Sequence, residues 1–229
     1  PGKFRGVNPV GTFNASVKPF TLTSASQFRL PPPPALDSAA YAADFEEVRA
    51  WGGMVSTQRT ADQLEAARFH SESPATYPTR NYRQFAMDSR SLADNARLMA
   101  MMWVAQADAG IACFETKYFY LAWRPLSAIP LADTDGNSAT APDAAWVPVI
   151  PTPNHPEYPA AHGASAGVIG DLIAQFFGTK KVEIVLSSAV TGTSHVIEST
   201  DDLAKELIDA RVFGGMHYRT SAQHGVVLG

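Results

Sequence analysis

The sequence predicts an all-α helical bundle carrying a proline-rich N-terminal arm, on three observations. All 17 prolines fall within positions 1–34, 74–78 and 125–159, so the windows 35–73, 79–124 and 160–229 lack the residue that breaks helices most strongly. Inside those windows apolar residues recur at three- and four-residue steps, the mark of a helix with one buried face. With 229 residues, 45% hydrophobic and 10% aromatic, the chain can bury a substantial core, which excludes collagen-like and disordered classes.

In chain order, residues 1–34 read as the extended arm and 35–229 as the helical domain. Asp37 N-caps a helix reaching about Trp51 and stopped at Gly52-Gly53, and Thr57 caps a second through Leu64 and Phe69. Leu92, Ala96, Met99, Met102 or Trp103, Ala107, Gly110 and Phe114 trace a helix that runs more than two turns either side of Met101. Residues 125–159 read as a long loop. A helix over 162–177 stops at Gly178, and one over 201–213, capped by Asp201, stops at Gly214-Gly215. Val182 to Val190 is the only β-flavoured stretch and shows no partner. Met87, Met99, Met101 and Met102 read as core.

Eighteen basic against 22 acidic side chains leave a formal charge of −4, too little positive field to favour nucleic acid as a partner. The single Cys113 supports neither an internal disulfide nor a thiolate metal site. No apolar run reaches the roughly 18 to 20 residues of a membrane span; the richest, Leu98 to Ala112, is interrupted by Gln106 and Asp108. A soluble protein is the expectation. The chain starts at Pro1 without Met and ends at Gly229 inside what reads as an unfinished segment. A removed signal peptide, and with it a secreted or periplasmic location, fits this start, as does a longer parent protein. Oligomeric state has no signature in the sequence.

Three cationic clusters do not belong in a plain bundle. Lys117 and Arg124 are seven apart, about 700° along a helix and so close to one face, yet their neighbours Tyr118, Phe119, Tyr120, Leu121, Ala122 and Trp123 are mostly apolar. The alternative for such charges is snorkelling to water or pairing with Glu115. His162 follows Tyr158-Pro159-Ala160-Ala161 and opens a helix rich in Gly163, Ala164, Ser165, Ala166 and Gly167. Free N–H groups at such a helix start bind anions, and small side chains admit the ligand closely; the alternative is a local capping histidine. Arg211 and His217 flank Gly214-Gly215, where a helix that stops lets both face one point; the alternative is an exposed last-turn arginine. Together the clusters supply the donors for a tetrahedral or trigonal-bipyramidal oxyanion, with imidazole as nucleophile or proton donor.

Lys117, six residues, Arg124-Pro125; Pro159-Ala160-Ala161-His162; and Ala210-Arg211, five residues, His217 together resemble the three-part signature of the vanadium-dependent haloperoxidase and type 2 phosphatidic acid phosphatase superfamily. Asp108-Ala109-Gly110-Ile111 and Trp123-Arg124-Pro125-Leu126-Ser127 are similar to its soluble, chloroperoxidase-like bacterial branch, most clearly over residues 92–229. The resemblance implies a helical bundle of the haloperoxidase and acid phosphatase type, with vanadate, or phosphate in the same site, as the bound oxyanion. It implies that His217 Nε2 is the axial metal ligand or the nucleophile on phosphate, that Lys117, Arg124, Arg211 and the Ala161 N–H neutralise the oxyanion, and that His162 is the acid–base group. Lys117 would also polarise the peroxide oxygen. Phe114 and His155 fall where the family lines its halide side, and a histidine there resembles bromoperoxidases more than chloroperoxidases.

The chain departs from that pattern at Ala160, where a serine hydroxyl donor worth about 1.5 to 3 kcal/mol to a charged acceptor is missing, at Ala210, and at Ser221, which stands where an acid would orient the histidine. Three functions are therefore compared: a haloperoxidase using hydrogen peroxide and halide, an acid phosphatase acting on a small phosphate ester through a phosphohistidine at His217, and a non-catalytic anion-binding helical protein. Asp133-Thr134-Asp135-Gly136-Asn137-Ser138 reads as a polar turn rather than a calcium loop. His70, His195 and His224 have no partner at metal-ligand spacing.

Overall fold

The computed structural model describes residues 1–72 and 77–229; Pro74 lies outside them. Ordinary capping chemistry sets the first helices. Helix α1 (Ala39–Trp51) starts where the Ser38 hydroxyl accepts from Tyr41 N–H, one residue past Asp37. Helix α2 (Ala61–Phe69) begins with a capping box between Thr60 and Gln63, three residues past Thr57. After the short α3 (Tyr77–Asn81), Ser91 caps α4 (Leu92–Tyr120), 29 residues long. Among the described residues no helix is long and apolar enough to cross a membrane.

Helix α4 ends at Leu121, whose φ of 56° turns the chain out of the helix. Lys117 and Arg124 therefore do not share a helix face: Arg124 occupies the N-cap position of the short α5 (Pro125–Ala128). The expected loop thus carries α5 and a 3-10 turn over Ile129–Thr134. Within it Asp135 accepts from Asn137 N–H and Thr140 Oγ1 at 2.7 and 2.8 Å.

Helix α6 (Ala161–Phe177) stops at Gly178. Strand β1 (Ile184–Ser187) does have a partner: it pairs antiparallel with β2 (Ser194–Ile197), from Ile184 opposite Ile197 to Ser187 opposite Ser194. Helix α7 (Thr200–Phe213) is capped by Ser199 rather than Asp201, and α8 (Arg219–Leu228) follows.

Helix α6 is the centre of the bundle, packing on α4, α7 and α8. Its glycines make this possible, because a Cβ on Gly163 would lie 2.4 Å from the Ala222 carbonyl and one on Gly167 2.2 Å from that of Val226. Phe69, Leu98, Met102, Ile173, Ile184 and Leu203 fill one apolar cluster; Phe45, Val48, Trp123, Ile129, Trp146 and Val212 fill another. Of the four methionines read as core, Met102 is fully buried and Met99 packs against the first cluster. Met87 and Met101 are 45% and 37% exposed instead.

The N-terminal segment is tied down by hydrogen bonds rather than by burial. Phe20 N–H, Thr21 N–H and Thr21 Oγ1 all donate to the Asp108 carboxylate at 2.6 to 2.7 Å. Tyr118 Oη donates to Val10 O, and Asn154 Nδ2 to Val7 O and Asn8 O. Gly11, at φ 73°, lies so close to Phe114 that a Cβ would meet its ring at 2.3 Å.

Candidate active site

A cavity of about 380 Å³ opens between α2, α4, α6 and the end of α7. Its lining includes Phe114, His155, Ala161, His162, Arg211 and His217, with Val10 of the N-terminal segment closing one side. The chain delivers these groups from separate elements: Phe114 from mid-α4, Ala161 and His162 from the first turn of α6, Arg211 from the last turn of α7. Gly215, at φ 73°, then turns the chain so that His217 comes back to the same hollow. The N-cap of α6 is Ala160, which has no side-chain acceptor for the first-turn N–H groups.

Lys117 and Arg124 are buried one layer behind this lining. Lys117 Nζ donates to the carbonyls of Pro156 and Glu157, both at 2.8 Å. Arg124 donates through Nε to His155 O at 2.8 Å, through one terminal nitrogen to His155 Nδ1 at 3.0 Å, and through the other to Met216 O and His217 Nε2, each at 2.8 Å. Arg211 donates to the carbonyl of His70, and its Nε is buried without a partner among the described residues.

Glu157, unmarked in the sequence reading, orients the ring of His217. Its Oε1 accepts from His217 Nδ1 at 2.9 Å and from Tyr218 N–H at 3.1 Å. Ser221 does not take that place; its hydroxyl lies 3.5 Å from the Glu157 carbonyl. With Nδ1–H given to Glu157, the free lone pair of His217 is at Nε2, where it accepts from Arg124.

Burial dominates the electrostatics. It pushes the Lys117 ammonium down, against the opposing pull of Glu157, and pushes the Glu157 carboxyl up, against Lys117 and Arg124. Burial and then the charges of Lys117 and Arg124 lower His155 to about 2. His162 and His217 are lowered well below the ordinary imidazole range, first by burial and then by Arg211 and Arg124 respectively. Among the described residues Lys117, Arg124 and Arg211 form no ion pair, and Glu157 is the buried carboxylate at hydrogen-bonding distance of their partners. Against the three buried cations stand two buried carboxylates, Glu157 and, in the cavity wall, Glu72, which is itself paired with Arg80, so the site is short of negative charge.

Residues 97–229 match the family described as the VCPO second helical-bundle domain. The chain belongs to the vanadium haloperoxidase superfamily. All of it aligns with 58% of the crystal structure of the first bacterial vanadium-dependent iodoperoxidase, at a TM-score of 0.81 and 25% identity. Holo and apo structures of a bacterial vanadium-dependent chloroperoxidase share the fold at a TM-score of 0.72 and 18% identity. The chain spans 53% of the length of each of these chloroperoxidases, covering 100% of itself in the holo form and 99% in the apo form. No curated protein matches the chain.

Beside the superfamily's motif residues, the cavity wall includes His70, Tyr77, Gln106 and Ser165. His70 and His195 have the partners that spacing along the chain did not reveal: both meet Glu206. His224 Nδ1 pairs with Tyr158 Oη at 2.7 Å. The clue for Glu157 was an acid enclosed by prolines in His155-Pro156-Glu157-Tyr158-Pro159, beside the second motif.

Proposed function

We propose that the cavity binds vanadate and that the protein uses hydrogen peroxide to oxidise a halide, iodide or bromide. The carrying observation is the charge imbalance: the three buried cations form no ion pair among the described residues, and the two buried carboxylates near them are Glu157 and Glu72, the latter paired with Arg80. A multiply charged oxyanion fits that deficit, and the partnerless Arg211 Nε offers it a donor. Bound vanadate would supply a Lewis acid that activates peroxide without a redox change at the metal.

His217 would hold the oxyanion through Nε2, since Glu157 occupies Nδ1–H. Arg124 donates to that same Nε2, so ligand binding would turn this N–H toward the oxyanion while its bond to Met216 O persists. Lys117, one layer back, acts through its charge, and the N–H of Ala161 and the α6 N-terminus add donors. His162, kept neutral by burial and by Arg211, takes the peroxide proton on a ring nitrogen. Phe114 and His155, with ring centroids 5.2 Å apart, form the halide side. The 25% identity to an iodoperoxidase and the histidine at position 155 favour the larger halides.

Purified protein with orthovanadate, peroxide and bromide or iodide should halogenate a dimedone-type acceptor, and His217→Ala should abolish the activity. Hydrolysis of a chromogenic phosphate ester without halogenation would instead assign phosphoryl transfer through His217. Silence in both assays, with anion-dependent thermal stabilisation, would leave anion binding alone.

A further inference from the structure

A second cluster of ligating side chains lies on the other side of His70 from the anion site. His70 Nε2 and His195 Nδ1 converge on the same oxygen of Glu206, each at 2.7 Å, and the ligand atoms of the three residues all lie within 4.8 Å of one another. They arrive from three elements: the C-cap of α2, strand β2 and helix α7. His195 is fixed in two further ways. Its ring stacks on Phe69 at 3.8 Å between centroids, and its outer nitrogen, Nε2, meets Glu65 at 2.8 Å.

We propose that His70 Nε2, His195 Nδ1 and Glu206 bind a divalent d-block cation of the zinc type, separate from the vanadate site and independent of that assignment. The donor set decides the metal class: two imidazoles and a carboxylate suit zinc or cobalt, whereas calcium and magnesium take oxygen ligands. Glu65 on His195 reproduces the carboxylate–histidine–metal arrangement that orients a ligating ring and fixes its tautomer. Charge agrees. Two carboxylates, Glu206 and Glu65, face the two rings, and a divalent ion on neutral imidazoles balances their charge.

Entry is provided for. Glu206 is also part of the wall of a surface groove with Asp62, Glu198, Asp202 and Asp209, the last paired with Arg219 and Lys205; among the described residues Lys205 is the one lining cation, so the field there draws cations inward. Ligand atoms around a tetrahedral ion sit about 3.3 Å apart, so binding requires the two 2.7 Å contacts to open by about half an ångström and the two imidazole nitrogens, within 4.8 Å of each other, to close by up to about 1.5 Å. The fourth position would be left to water from the groove.

Titration of metal-free protein with Co²⁺ tests this. One ion per chain should bind, with the visible absorption of a four- or five-coordinate site, and Zn²⁺ should displace it. His195→Phe keeps the ring stacked on Phe69 and Glu206→Gln keeps the shape of the carboxylate; each should remove the spectrum, while Glu65→Gln weakens binding about tenfold or more. His217→Ala should leave the spectrum in place. No saturable binding by the wild type, or an unchanged spectrum in Glu206→Gln and His195→Phe, overturns the assignment. Should one variant fail to fold, the other and the milder Glu65→Gln still decide it.

Discussion

Glu157 Oε1 holds the ring of His217 by Nδ1 at 2.9 Å, across sixty positions of sequence. This contact leaves the Nε2 lone pair pointing to Arg124 and makes an acid of the second-motif loop the orienting group for the histidine of the third. Glu157→Gln keeps an acceptor for the ring but loses the charge. Vanadate affinity should then fall about 10- to 100-fold with the fold intact, measured by calorimetric titration. Wild-type affinity would remove Glu157 from this role.

Acid should destabilise the protein before most of its carboxylates are protonated; Glu157, which burial pushes up to about 7, works against the trend, and three histidines outweigh it. His155, His162 and His217 are held neutral with folded pKa values below the ordinary 6.5. Below pH 6.5 the unfolded chain takes up protons that the folded chain refuses, so each such histidine costs up to about 1.4 kcal/mol per pH unit. For His155 this continues down to about pH 2. Urea midpoints should drop between pH 7 and pH 5, and a flat profile over that interval would contradict the burial of these rings.

The glycines of α6 give a packing test with its own control. Gly163→Ala would push a Cβ to 2.4 Å from the Ala222 carbonyl, a backbone atom that cannot step aside. A loss of about 1 to 3 kcal/mol is expected, together with weaker anion binding, because Ala161 and His162 sit on the displaced turn. Gly110→Ala, in α4, meets nothing within 4 Å and should gain about 0.5 to 1 kcal/mol from helix propensity. Thermal unfolding of the two variants should move in opposite directions.

Asp108 pins the N-terminal segment. Burial alone would raise its pKa, but the hydrogen bonds from the Thr21 hydroxyl and from the N–H groups of Phe20, Thr21 and Leu22 outweigh it and the pKa is lowered. This stabilisation is complete above the ordinary carboxylate value of 3.8 and is lost as pH falls through the lower folded value. Asp108→Asn should lose about 1.5 to 3 kcal/mol of charge-assisted hydrogen bonding. Limited proteolysis at pH 7 should then cut residues 17–30 much faster than in the wild type.

The helices were legible because their buried faces repeat at three and four residues and glycine or proline punctuates them. Their starts were displaced by one to three positions, since Asp37, Thr57 and Asp201 compete with nearby Ser38, Thr60 and Ser199 for the same capping work. Strand β2 was hidden: four residues, Ser194–Ile197, with one of them buried, carry too little periodicity to announce a strand. Phe114, His155, Ala161, His162, Arg211 and His217, legible by residue type and fixed spacing, meet at one hollow, whereas Lys117 and Arg124 lie behind its wall. Glu157 was not legible, since its role depends on a loop folding back on His217. Nor was the meeting of His70 with Glu206, which are 136 positions apart.

Val10 forms part of the wall of the hollow without belonging to the bundle, held to Tyr118 and Asn154, with Gly11 beside it against Phe114. The charge cradle is thus built by helices α4 and α7 and by the turns that follow them, whereas the doorway is tailored by a strip of irregular backbone. Sequence drift in that strip can widen or narrow what enters while leaving the groups behind it in place, and removing the strip would leave the same hollow with an unguarded entrance.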